Sequence, residues 1–190
     1  MDAVLAESIF RDVWESLSAI DGDVESSFAR SGHEFPLLTS VLFYSAVRSE
    51  FHDQQDVRVI TRAIGRAISK VPNGYLHLFA PREAEALIRA QVFGETDLLS
   101  DYSVASLELR NTVLALTRSL CQEVARSQPD RKLFRLAVLE TIAEYRSPNM
   151  LQEMLISLLD PGALRGGGYE DLLSCLEVAA RAAMPATASS

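Results

Sequence analysis

Four cations stand at successive four-residue steps, Arg58, Arg62, Arg66 and Lys70, with no acid between Val57 and Val71. At helical pitch this spacing sets them along one side of a helix. Their chemistry is anion recognition. A guanidinium binds carboxylate or phosphate through two parallel hydrogen bonds, and an ammonium binds as a point charge. Unanswered like charges on one helix face cost a few tenths of a kcal/mol per neighbouring pair, so something should lie opposite. The first 25 residues carry seven acids (Asp2, Glu7, Asp12, Glu15, Asp21, Asp23 and Glu25) against the single base Arg11, a formal charge of −6. Solvation of the stripe, or its pairing with that acidic segment, is the structural expectation. The functional expectation is a docking face for an acidic protein, a phosphate-bearing ligand or nucleic acid.

His52-Asp53 is the one step suited to metal chemistry. It is similar to the adjacent His-Asp of helical HD-type phosphohydrolases, which hold a divalent metal through histidine and aspartate ligands and so activate water. His33 and either Asp97 or Asp101 would have to complete the set. A dipeptide arises readily by chance, and Asp53 also suits the N-cap of the helix that follows. No metal ligand is assigned on this basis.

The remaining candidates fail on their neighbours. His33-Glu34 begins like HExxH, but Leu37 stands where the second histidine is required. Gly166-Gly167-Gly168 could offer backbone N–H groups to a phosphate, yet Glu170 and Asp171 follow directly and repel anions. A hinge is expected there. No P-loop, dinucleotide fingerprint or nucleophile elbow occurs. The expectation is therefore a chain that is not an enzyme and needs no cofactor.

Composition bounds the remaining classes. The chain has 190 residues, 48% of them hydrophobic, a formal charge of −8 and an estimated pI of 4.9. That is material for a real core, and a negative chain disfavours nucleic acid as a general partner. Cys121 and Cys175 lie in apolar helical patterns with no zinc-ligand spacing, as expected of free thiols in a reducing compartment. The longest uncharged run, Phe35 to Val47, is thirteen residues, short of the roughly 20 that span a bilayer. A cytoplasmic protein without a membrane segment is expected.

The elements that must position these residues are helices. Apolar residues recur at three- and four-residue spacing almost throughout, broken by Pro, Gly and Ser. The pattern predicts helices over about 3–17, 36–51, 53–71, 81–93, 104–126, 130–145, 149–159 and 169–183, with a short turn over 24–29. Pro36, Pro81, Ser103, Ser147 and Gly94 read as their start and stop signals. Residues 75–79 alternate enough for a short extended piece. The 36–51 helix is apolar nearly all round and belongs at the centre together with 103–126.

The stripe of Met150, Leu151, Met154, Leu155, Leu158 and Leu159 is expected in the core, with a partner groove as its alternative. Trp14 is expected to anchor the core. Helix starts follow no fixed period, so a bundle is preferred to a solenoid. The fold class is thus all-α, a single domain over 1–184 with a frayed tail over 185–190. The function expected is a protein-interaction or regulatory module, self-association included, with Arg58, Arg62, Arg66 and Lys70 as the contact residues. A small-ligand sensor with a cavity between helices is the alternative, and the metal-dependent hydrolase a more distant one.

Overall fold

The computed structural model describes residues 3–19, 22, 34–53, 56–71, 73–101, 106–126, 128–159 and 169–183. They form eight α-helices and two short 3-10 turns, with no strand among the described residues. The helices are α1 (Ala3–Ser18), α2 (Glu34–Phe51), α3 (Val57–Ser69), α4 (Pro81–Phe93), α5 (Leu107–Arg126), α6 (Gln128–Glu144), α7 (Met150–Leu159) and α8 (Tyr169–Ala183). The segment read as partly extended is instead a 3-10 turn, Asn73–Leu78. A second such turn, Thr96–Asp101, follows α4 and packs against it. The bundle is all-α, as the periodicity predicts.

Helix α2 occupies the centre. Every residue from Phe35 to Val47 is buried, and the helix packs against α1, α4, α5, α6 and α7. Burying side chains such as Phe43, Leu42 and Phe51 contributes about 1.5–3 kcal/mol each. Pro36 is its third residue rather than its first. The opening N–H groups of a helix have no intrahelical acceptor, so a proline is tolerated there. Helix α5 is the second central element, in contact with α1, α2, α3, α4 and α6. Around this pair, α1 lies along α8, and α8 also packs on α6. Residues of all eight helices join one hydrophobic core.

Polar side chains fix the register of the central helices. Ser40 Oγ lies 2.6 Å from the Tyr145 hydroxyl, both buried. Arg48 Nη2 donates to both Glu144 oxygens, at 2.7 and 3.0 Å. Arg146 ties the end of α6 to α8 through Glu170 at 2.8 Å and Glu177 at 3.1 Å.

Several caps and core positions differ from those expected. Asp56, not Asp53, caps α3: its Oδ1 accepts from Arg58 N at 2.9 Å. Ser106 Oγ accepts from Leu109 N at 3.1 Å and starts α5. Ser103 lies outside the described residues. At α7 the cap is Asn149 rather than Ser147. Asn149 Oδ1 accepts from Gln152 N and Gln152 Oε1 accepts from Asn149 N, both at 3.0 Å, a reciprocal box. Gly94, at φ 74, closes α4 as read from the sequence, its N–H donating to Ala90 O.

Met150, placed in the core by pattern, is 60% exposed, and Leu107 is 61% exposed; each is the first residue of its helix. Val4 and Leu5 are likewise exposed at the start of α1. Leu151, Leu155, Leu158 and Leu159 are buried, Met154 half-buried. Trp14 is half-buried, its ring 5.4 Å from that of Phe134. The 24–29 turn, the Gly166–Gly168 run and the 185–190 tail lie outside the described residues, and among those described no helix is long and apolar enough to cross a membrane.

Candidate functional site

Helix α3 is the most two-sided of the described helices. Ile60, Ala63, Ile64 and Ala67 are buried, while Arg58, Arg62, Gly65 and Arg66 are exposed. The cation stripe forms as its spacing predicts, but folding divides it into two pairs. Arg66 Nε lies 3.5 Å from Glu123 Oε1 and its Nη2 lies 4.0 Å from Glu50 Oε1. Lys70, just past the helix end, donates from Nζ to Ser119 Oγ at 3.0 Å and to Gln122 Oε1 at 3.4 Å. These two side chains join α3 to α2 and α5. Arg58 and Arg62 side chains have no hydrogen bond or ion pair among the described residues.

The acids described beside the stripe are not those of the acidic first segment, of which Asp2, Asp21, Asp23 and Glu25 lie outside the described residues. The acids that answer it, Glu50 and Glu123, come from α2 and α5, and Glu7 of α1 instead pairs with Arg11 one turn along its own helix. A pair as exposed as Arg66–Glu123 contributes at most about 1 kcal/mol.

Beside the free pair runs an open groove of about 470 Å³ between α3, the first 3-10 turn and α4. Its lining is mainly apolar: Ile64, Ile68, Val71, Leu76 and Pro81, with Gly65 on the α3 side. Arg62 precedes Gly65 by three residues and Arg58 precedes Thr61 by three, so each neighbours a lining residue along α3 without itself lining the groove. Arg82, at the start of α4, adds a third exposed guanidinium with no partner among the described residues. The one acid in the lining, Glu85, is engaged: Oε2 accepts from Thr61 Oγ1 at 3.0 Å, and Arg89 lies 3.8 Å from Oε1.

Gly65 itself is unexplained by internal packing. Its φ is not positive, and a Cβ built there meets no described atom within 4 Å. A glycine inside a helix costs about 1 kcal/mol relative to alanine. Neither Gly65 nor Arg82 figured among the sequence candidates. Gly65 had a legible signal, as a lone glycine in an otherwise strong helical pattern. Arg82 had none, because only folding brings α4 alongside α3.

The other candidates do not converge. His52 Nε2 lies 2.8 Å from Asp53 Oδ2, and its Nδ1 is 3.1 Å from Ser49 O, in an exposed turn. Among the described residues no group of three His, Cys, Asp or Glu side chains stands close enough to share a metal ion. His33 lies outside them. A smaller polar pocket of about 120 Å³ is lined by Tyr44, Arg48, His52 and Gln91, but the Arg48 charge is already answered by Glu144 and stacked 5.6 Å over the Tyr44 ring. Neither cysteine forms a disulfide; Cys121 is fully buried, and desolvation holds its thiol well above the usual range.

No family model, no curated protein and no solved structure matches this chain.

Proposed function

We propose that this chain is a non-enzymatic protein-interaction module that engages a partner protein through the outward face of α3, with Arg58 and Arg62 as its charged contacts. The observation that carries the proposal is the division of the stripe. Arg66 and Lys70 are engaged by α2 and α5, while Arg58 and Arg62 point two bidentate donors at solvent on a chain of net charge −8. An acidic partner supplies the missing carboxylates and gains on-rate from the local positive field. Cys121 and Cys175 form no disulfide, which suits a reducing compartment, so we assign this activity to the cytoplasm.

The test is affinity capture from the native cell with parent protein, Arg58→Glu/Arg62→Glu, and Arg131→Glu/Lys132→Glu as a control of equal charge change on exposed α6 positions. The proposal expects one or more proteins to disappear with the first variant and remain with the second. Retention of every captured protein by Arg58→Glu/Arg62→Glu would overturn it.

A further inference from the structure

We infer that the groove between α3 and α4 receives a short segment of the partner protein in which apolar side chains are flanked by carboxylates. This rests on the reading of α3 as the partner-binding face and adds the chemistry of what binds there. Two kinds of complementarity meet at one place. The floor and walls are aliphatic, formed by Ile64, Ile68, Val71, Leu76 and Pro81. Arg82 lines the groove, and Arg58 and Arg62 stand about one helical turn before its lining residues Thr61 and Gly65 on α3, none of the three guanidinium groups being answered among the described residues.

A volume of about 470 Å³ lies in the range that admits a ligand of several apolar groups. The groove is open to solvent rather than enclosed, which suits a chain segment better than a buried small molecule. A polyanion such as nucleic acid has no use for the aliphatic floor and meets the repulsion of a −8 chain. Carboxylates beside apolar anchors use both features, because each guanidinium fork matches a carboxylate bidentately.

Gly65 fits the same account. No described atom lies within 4 Å of a Cβ built there, and a glycine at that point lets a partner backbone approach α3 closely. Filling that space with a large side chain would block the groove without disturbing internal packing.

The experiment is selection from a random-peptide phage library against the parent, Gly65→Trp and Arg58→Glu/Arg62→Glu, with helicity and melting checked for each. Gly65→Ala, which can only ease helix formation, serves as a second groove variant should Gly65→Trp fold poorly. The expected result is enrichment of peptides combining acids with large apolar residues. Each variant should weaken their binding by about tenfold or more, and Gly65→Ala by less.

Peptides lost on Arg58→Glu/Arg62→Glu but indifferent to both Gly65 variants would overturn the groove while leaving the α3 face as the binding surface. Indifference to all three would overturn both readings. Enrichment without acids would sink the proposed chemistry. Light scattering that showed the parent dimeric and Gly65→Trp monomeric would assign the groove to a second copy of this chain, which also overturns the inference.

Discussion

The Tyr145 hydroxyl lies 2.6 Å from Ser40 Oγ, across 105 residues of sequence and in a site closed to water. The contact fastens the centre of α2 to the turn that ends α6. A second tyrosine, Tyr44, meets the Tyr145 ring edge-on with centroids 6.2 Å apart, and its hydroxyl accepts from Asn149 Nδ2 at 3.3 Å. The middle of the bundle is therefore specified by hydroxyl geometry as well as by aliphatic packing.

Removing one member of that pair strands the other. Tyr145→Phe and Ser40→Ala should each cost about 1–3 kcal/mol, the penalty of an unsatisfied buried polar group. The double variant should cost clearly less than the sum. Urea melts of the four proteins of the cycle measure the coupling. Strict additivity would mean the two hydroxyls do not interact.

Burial holds the Tyr145 hydroxyl well above the usual tyrosine range, and burial together with Glu170 and Glu153 pushes Tyr169 up to about 12. The folded state thus prefers neutral phenols. Their stabilising effect is complete below the unfolded tyrosine value of about 10 and is lost as pH rises from there toward the folded values. Stability should fall with pH above about 10. Tyr145→Phe should flatten that fall, as read by denaturant midpoint against pH. An identical slope in parent and variant would contradict the assignment.

Two glycines should respond to alanine with opposite sign. Gly65 has helical geometry and empty space, so Gly65→Ala should stabilise by about 0.4–1 kcal/mol. Gly94 closes α4 at φ 74, where an L side chain is strained, so Gly94→Ala should destabilise by about 1 kcal/mol. Thermal melts decide both signs.

The stripe should divide in stability as it does in contacts. Arg58→Ser/Arg62→Ser should leave folding within about 0.5 kcal/mol of the parent, relief of like-charge repulsion offsetting lost stem packing. Arg66→Ser removes contacts to Glu50 and Glu123 and should cost up to about 1 kcal/mol, less at high salt. Equal costs for the two variants would erase the distinction.

The order of helices was legible because their punctuation is local. Pro81 and Gly94 delimit α4 on their own chemistry, and the all-round apolar run of α2 announces a central position. Caps were harder to read. Asp53 and Asp56, and Ser147 and Asn149, offer rival caps three or fewer residues apart, and local sequence does not say that Asp56 and Asn149 are the ones used. Exposure of Leu107 and Met150, each at the first position of its helix, is equally a tertiary outcome that periodicity does not report.

Within the candidate site, the stripe was visible as spacing, but its division was not. The groups that engage Arg66 and Lys70 come from α2 and α5, and the opposite wall of the groove comes from α4. Periodicity along one segment carries no record of which distant segment will face it.

Proximity crosslinking tests the use of this face most directly. Ser69 lines the groove and is exposed, so a photoreactive residue placed there samples what lies against Ile64, Gly65 and Ile68. In the native cell it should attach to an acidic partner protein, and adding Arg58→Glu/Arg62→Glu should abolish the product. A photoreactive group at Lys132, on the exposed side of α6, should leave that partner unlabelled. The opposite pattern, a partner attached from position 132 and none from position 69, would contradict the assignment of function to α3.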